Sequence, residues 1–471
     1  MQEAPKPRYA LRLAALSFGM LLPSLGTSIA NVALPSLKLA FGAGSQDVQW
    51  VVIAYLMSIT ALLVTAGRLG DLFGKRRLLL AGMGLFALAA LLAALAPALW
   101  IVILARGLQG IGAAAMMSLT VAAVGDMVPK DRAGSAIGLL GTVSAVGTAI
   151  GPSLGGVLIA YFGWHAVFAL MALAGAAALA FAWPLLPRDT PTRTLPVSFD
   201  IPGTIVLTLA IAAFALATTL APMGLLNAAL LALFMIALAT FIFIEKRSQA
   251  PLLQLRLLKS RGLSAGLVSL GLVSAILMTT LVVGPLYLSS VLGLGPATTG
   301  LVMSIGPVVA ALVGYPAGLL VDRFGHAAAS SVGLAGVLAG TLLMSFLPPI
   351  LGVPGYAGSL VVTTAAYAVF LAANNTGIMT GAGKEQRGVV SALLSLARNL
   401  GLIAGASAMG SVFALGSAGL APLHLAQGGE TGLRITFLLA AILASIALVT
   451  TLWGRWSASR SPEAGRQAGV P

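Results

Sequence analysis

The chain has 471 residues, of which 59% are hydrophobic and 8% are charged, and its mean hydropathy is +1.03. This composition excludes a soluble globular protein, because too little polar surface is available to cover the apolar residues, and it favours a protein that lies largely in a membrane. The absence of cysteine excludes disulfides and thiolate metal sites, and the three scattered histidines show no metal-ligand spacing.

Apolar segments separated by Gly, Pro and charged residues predict fourteen membrane-spanning helices. About 20 apolar residues cross a bilayer as a helix, and runs rich in Leu, Ala and Gly without alternation favour helices over barrel strands. The predicted spans are 10–33, 48–70, 77–97, 99–124, 134–160, 165–186, 201–220, 224–244, 263–291, 297–320, 327–347, 356–381, 388–414 and 433–454.

The basic residues predict the orientation of these spans. With a cytoplasmic N-terminus, nearly all Lys and Arg residues fall on the inner side, and only Lys38 and Arg434 fall on the outer side. This asymmetry follows the positive-inside rule, so the net charge of +14 requires no nucleic acid as a partner. We expect both termini to be cytoplasmic and the protein to lie in a bacterial cytoplasmic (inner) membrane.

Between the second and third spans lies Gly-Arg-Leu-Gly-Asp-Leu-Phe-Gly-Lys-Arg-Arg, residues 67–77. Its charges cannot lie in hydrocarbon, so it is a very short loop at the membrane surface, and its glycines allow a sharp turn and close helix contact. Asp71 can pair with a nearby cation, and such an ion pair between helix ends is a latch that holds one conformation. The predicted latch includes Gly67, Arg68, Gly70, Asp71, Gly74, Lys75 and Arg76.

Arg106 lies about six residues inside the outer end of the fourth span, near Gln109. Placing an arginine in hydrocarbon costs about 3 kcal/mol, so Arg106 should face the bundle interior or water. The alternative is that its side chain reaches back to the outer interface.

The fifth span carries a ridge of glycines at a spacing of four residues. Such a ridge permits close helix contact, and the proline inside it can bend the helix. Tight packing is the favoured interpretation, and a specific role in coupling is the alternative. The residues are Gly147, Gly151, Pro152, Gly155 and Gly156.

A weaker copy of the latch follows 251 residues later, over residues 318–325, where Gly318, Asp322 and Arg323 join the predicted latch. This repeated loop suggests that the chain contains two related halves, as many secondary transporters do. Two further spans lie between the two halves. A Pro/Thr-rich segment, 187–199, precedes these spans, and an amphipathic segment, 245–261, follows them. The predicted domains are a six-helix bundle (1–186), a two-helix linker (187–261), a second six-helix bundle (262–456) and a disordered tail (457–471).

The loop at 67–77 resembles the conserved loop between helices two and three of the major facilitator superfamily, and the Arg106 and Gly-Pro strings resemble two more of its signatures. Residues 28–35, 49–52, 200–203 and 245–247 look like the fourteen-helix drug:proton antiporter branch. The resemblance implies an all-α fold with a central cavity, alternating access and drug export. It also implies an inner charge cluster of Arg68, Asp71, Lys75 and Asp126, and a coupling role for Arg106.

One departure from that branch concerns the first span, where Gly26 replaces the usual aspartate. No carboxylate is predicted in the middle of any span. The deep polar residues suit an anionic or neutral amphipath, although hydrogen bonds between helices are an equal interpretation for the amides. They are Asn31, Arg106, Gln109, Asn374, Asn375, Arg398 and Asn399.

The leading hypothesis is a secondary active exporter of small amphipathic compounds, driven by proton antiport. The alternative is an uncoupled or anion-handling carrier that uses Arg106 and Arg398. A membrane enzyme is disfavoured because the spans offer neither a nucleophile–base set nor metal ligands. We therefore expect no cofactor and no metal, with protons, the bilayer and a small substrate as partners of a monomer.

Overall fold

The computed structural model describes residues 7–127, 133–187, 201–219, 224–248, 260–381, 387–417 and 428–459, and all regular structure in these ranges is helical. The helices are α1 (Pro7–Phe41), α2 (Ser45–Phe73), α3 (Lys75–Ala94), α4 (Leu99–Met127), α5 (Ala133–Phe162), α6 (His165–Leu185), α7 (Ile201–Thr219), α8 (Leu225–Arg247), α9 (Arg261–Ser290), α10 (Pro296–Leu351), α11 (Val353–Gly381), α12 (Arg387–Ala404), α13 (Gly410–Ser417) and α14 (Gly428–Ser459). The predicted tail, 457–471, lies almost wholly outside the described residues.

Twelve helices in the described ranges are long and apolar enough to cross a membrane, so the chain is a multi-pass membrane protein. Helix α10 is 56 residues long and covers two of the predicted spans, which meet at the non-helical residue Gly325. In α5, the described apolar stretch is Val146–Phe162.

The chain forms two compact units. The first contains α1 to α8 as far as Ile244, together with residues 293–307 at the start of α10. Within it α1 packs along α5 and α4, while α2 and α3 both pack on α4. Helix α7 lies against α2, and most of the α8 surface is exposed.

The glycines of α5 allow these helices to approach closely. A Cβ atom added at Gly147 would lie 2.7 Å from the Leu21 carbonyl oxygen of α1, and one at Gly155 would lie 2.9 Å from an Ile29 side-chain carbon. A Cβ at Gly151 would overlap the Ser28 hydroxyl. The residue after Gly155, Gly156, meets Gly300 of α10, with its added Cβ 2.9 Å from the Gly300 Cα.

The second unit is built around α9, which contacts α11, α12 and α14. A π-helical turn, Gly405–Met409, joins α12 to α13 and packs against α9, and most of its residues are buried. Close contact is possible there because Gly401 and Gly405 lie directly on the α9 backbone at Gly271 and Ala275.

Candidate functional site

The most deeply buried charge among the described residues is the guanidinium of Arg106 in α4, which is 1% exposed. Its Nε donates to the Val51 carbonyl of α2 at 3.0 Å, and its Nη2 donates to the Gly26 carbonyl of α1 at 3.0 Å. Its Nη1 donates to Gln109 Oε1 at 2.7 Å. Arg106 therefore points into the helix bundle, and the alternative of an interfacial arginine is wrong.

Tyr55 of α2 covers the same guanidinium. The Arg106 Cζ lies 3.9 Å from the centre of the Tyr55 ring, an arrangement that stabilises a cation by its attraction to the ring face. The Tyr55 hydroxyl donates to the Pro23 carbonyl of α1 at 2.8 Å. We use "arginine node" for Arg106, Gln109, Tyr55 and the Gly26 and Val51 carbonyls.

The position of Gly26 explains how the node fits together. An added Cβ there would lie 3.1 Å from the Tyr55 hydroxyl oxygen and 3.6 Å from the Phe86 ring. A methyl group there would therefore be in tight contact with the Tyr55 hydroxyl, and a larger side chain would displace Tyr55 from its place beside Arg106. Within the described residues no carboxylate approaches Arg106, so carbonyls, an amide and a ring take the place of a counter-ion.

Several buried amides in the first unit keep polar atoms without a partner among the described residues. Asn31 donates to the Thr27 carbonyl at 2.9 Å, while its Oδ1 has no partner. The same is true of Gln109 Nε2 and of both polar side-chain atoms of Gln49, which is fully buried. Unsatisfied buried amides are costly, so they are candidates for contact with a polar ligand or water.

Chemically, the node can transmit movement between three helices. Its hydrogen bonds connect α4 to α1 and α2, and the Tyr55 hydroxyl connects α2 to α1. Three of the five guanidinium N–H groups donate to these acceptors, so an anion would meet two remaining N–H groups unless it displaced the present acceptors. Sliding of α1 along α4 would break the bond to Gly26.

The second unit carries its predicted polar residues in a different setting. Asn374 is buried and its Nδ2 has no partner in the described part of the chain, whereas Asn375 is half-buried. Arg398 of α12 is exposed, unlike Arg106. A stacked pair, Tyr287 and Tyr356, lies between α9 and α11 with ring centres 6.3 Å apart.

The two latch loops share a backbone conformation. Gly74 has φ 99° and ψ 125°, and Gly325 has φ 79° and ψ 151°, values that residues with a side chain rarely adopt. The helices leading into them differ. Gly67 and Gly70 meet Ser118 and Leu119 of α4, whereas nothing lies within 4 Å of a Cβ added at Gly318.

The charged members of the latch are described only in part. The side chains of Arg68, Asp71 and Asp126 lie outside the described residues, so their pairing remains a prediction. Arg76 donates to carbonyls at the end of α6, and Lys75 is half-buried. Asp322 and Arg323 are exposed, and the Arg323 Cζ lies 5.4 Å from the Phe324 ring centre.

Sequence reasoning did not single out one buried carboxylate. Glu245 is 4% exposed and lies in the last turn of α8, which continues to Arg247, beyond the predicted end of its span at residue 244. The sequence feature that could have drawn attention to Glu245 is its position in the Glu-Lys-Arg string at the end of a span. The other carboxylates with described side chains, Asp47, Asp322 and Glu430, are more exposed and also lie near helix ends.

Comparison with known proteins agrees with this architecture. The sequence profile of the Major Facilitator Superfamily matches residues 16–406. The multidrug resistance protein Stp of Mycobacterium tuberculosis is 29% identical over 410 residues, which are 86% of this chain and 76% of Stp. The uncharacterized transporter YebQ of Escherichia coli is 30% identical over 450 residues, 94% of this chain and 95% of YebQ.

Solved structures show the same fold at low sequence identity. A bacterial homologue of the human lysosomal transporter Spinster, in an inward-facing and occupied conformation, superposes with a TM-score of 0.72. The match covers 96% of this chain and 98% of that one at 14% identity.

Proposed function

Because the chain belongs to the Major Facilitator Superfamily, we propose that it is a secondary active exporter of small amphipathic compounds that works by alternating access. Its similarity to a multidrug resistance protein supports this substrate class and fits the drug-exporter branch that the sequence motifs predict. The proposal includes fourteen spans in a 6 + 2 + 6 arrangement, with both termini in the cytoplasm of a bacterium.

The observation that carries this proposal is the arginine node. Arg106 is 1% exposed, and removing its guanidinium from water into an apolar bundle costs several kcal/mol. Only a well-organised set of hydrogen-bond acceptors offsets a cost of that order. Here those bonds join α4 to α1 and α2 within the first unit, and we infer that the transport cycle includes small shifts of α1 and α2 against α4. The arginine node therefore couples the position of Arg106 in α4 to the positions of α1 and α2.

The proposal also includes coupling of transport to proton movement. Burial raises the pKa of a carboxyl group in general, which is how coupled carriers bring it into the working range. Glu245 is the buried carboxylate in the described part of the chain, so we assign it as the first candidate for the coupling group. Asp47, Asp71 and Asp126 are the candidates at the other helix ends.

The alternative is an uncoupled or anion-handling carrier. It is supported by Gly26, which leaves Arg106 without a carboxylate partner among the described residues, and by the exposed cation of Arg398. It is weakened by the hydrogen bonds that already use three of the five guanidinium N–H groups of Arg106, which leaves two for an anion.

The two proposals are separated by one experiment on purified protein in proteoliposomes with an internal pH dye. Tetraphenylphosphonium serves as the cation and anilinonaphthalene sulfonate as the anion, and proton and substrate movements are recorded together. Proton movement that depends on the cation supports the antiporter. Anion movement without protons supports the alternative, and no movement of either probe contradicts both substrate classes.

Glu245→Gln is the matched variant for the coupling group, because it keeps the shape of the side chain and removes the charge. We expect it to abolish cation-dependent proton movement. Glu430→Gln makes the same substitution at a more exposed carboxylate in the first turn of α14, outside the latch, so it serves as the control and should retain it. If Glu245→Gln moves protons at the wild-type rate, the coupling group lies elsewhere.

A further inference from the structure

Two arginines from different helices meet at the C-terminal end of α6. Arg12 of α1 donates from Nε to the Leu185 carbonyl at 3.0 Å. Arg76 of α3 donates from Nε to the Leu186 carbonyl at 3.0 Å and from Nη2 to the Trp183 carbonyl at 2.7 Å. The last carbonyls of a helix lack intrahelical partners, so these cations stabilise the end of α6.

The Arg12 guanidinium is only partly used by this contact. An arginine offers five N–H groups, and in the described part of the chain one of those of Arg12 has an acceptor. Its side chain is half-buried, so the remaining donors are within reach of a ligand from the membrane surface. A phosphate group matches several such donors at once.

The surface around the two arginines is apolar and exposed. Trp183 is 61% exposed, Leu11 is 44% exposed, and the Arg76 Cζ lies 5.7 Å from the Trp183 ring centre. Tryptophan concentrates at the level of lipid headgroups, where its ring contacts both apolar and polar groups. Cations beside an exposed aromatic ring at a span end thus match a molecule with an anionic head and an apolar body.

The geometry points to a binding site for an anionic phospholipid at this end of the first unit. The phosphate accepts hydrogen bonds from Arg12, and the upper acyl chain lies on Trp183 and Leu11. Basic surfaces between helix ends are where anionic lipids bind membrane proteins. This site holds α1, α3 and α6 together and does not depend on the transported substrate.

The test uses full-length protein in lipid-free detergent, titrated with equal amounts of phosphatidylglycerol and phosphatidylcholine and examined by native mass spectrometry. We expect the wild type to retain phosphatidylglycerol in preference. One cation near the surface accounts for about a fivefold change in affinity for an anionic lipid, so Arg12→Gln should weaken retention by about that factor. Arg261→Gln removes an exposed arginine from the start of α9 and should retain the wild-type preference.

A second variant keeps the proposal testable if Arg12→Gln unfolds. Trp183→Leu leaves both cations in place, and we expect it to weaken retention as well. Equal retention of the two lipids by the wild type, or wild-type retention by Arg12→Gln and Trp183→Leu, would overturn the proposal. So would inorganic phosphate raising the thermal midpoint as much as phosphatidylglycerol does, because the site would then bind a free anion.

Discussion

Arg106 shows how a single buried charge is accommodated without a carboxylate. Its fork of donors matches two carbonyls and an amide, and its flat face lies on Tyr55. The inward direction could be predicted from the cost of an arginine in hydrocarbon. The choice of Tyr55 as the partner of Arg106 could not be predicted, because the rotation of α2 about its own axis decides which of its side chains face Arg106.

Replacing Arg106 tests whether the charge or the fork matters. Arg106→Ala should lower the transport rate in proteoliposomes at least about tenfold, because hydrogen bonds to a charged group contribute about 1.5–3 kcal/mol each. Arg106→Lys keeps the charge and loses the planar fork, so we expect it to retain less than half of the rate. Wild-type transport by Arg106→Lys would mean that the charge alone is sufficient.

Gly26 decides whether the node can hold a carboxylate. In Gly26→Asp the new Cβ would lie about 3.1 Å from the Tyr55 hydroxyl oxygen, beside the Arg106 donors. We expect this variant to shift substrate preference in the transport assay towards cations. Gly26→Asn has the same shape without the charge, so an equal shift in both variants would assign the effect to crowding.

Arg76 illustrates the limit of sequence reasoning at this scale. Its position in the string at 67–77 predicts a latch, and its described hydrogen bonds go to the end of α6, 107 and 110 residues away in sequence. Nothing local identifies that acceptor. The contact exists because α3 and α6 pack together, which depends on the whole bundle.

Among the helices, hydropathy located the twelve in the described ranges that are long and apolar enough to cross a membrane, because such a helix must be apolar over the bilayer thickness. The ends were less predictable. Helix α1 runs to Phe41, eight residues beyond its predicted end at 33, because a helix continues into the interface where hydropathy falls. The junction at Gly325 falls within the copy of the loop predicted over residues 318–325, and the structure adds that Gly325 and Gly74 both have positive φ.

The contact between α5 and α10 gives a prediction for whole elements. Gly300→Ala would place its Cβ about 2.8 Å from the Gly156 Cα, and backbone atoms cannot rotate away. Overpacking of this kind lowers stability by about 1–3 kcal/mol, which a thermal unfolding midpoint in detergent would register. Gly314→Ala on the same helix has nothing within 4 Å of its new Cβ and should unfold at the wild-type midpoint or slightly above it, because alanine favours a helix more than glycine does. Equal midpoints for both variants would contradict close packing at Gly300.

For the whole molecule, the lack of cysteine offers a direct test of orientation. Ser260→Cys and Ser290→Cys lie at opposite ends of α9 and are both exposed. A maleimide that cannot cross the membrane, added to intact cells, should label Ser290→Cys. It should label Ser260→Cys only after the cells are opened. The reverse pattern would invert the predicted topology.

The π-helical turn at Gly405–Met409 affects how this chain aligns with related transporters. Closing hydrogen bonds from i to i+5 places one more residue in the turn than an α-helix does. The turn is thus equivalent to a single-residue insertion between two helical segments that keep their own register. Deleting Ala408 should therefore leave α12 and α13 as one unbroken α-helix, and an alignment of related transporters should place one-residue gaps there.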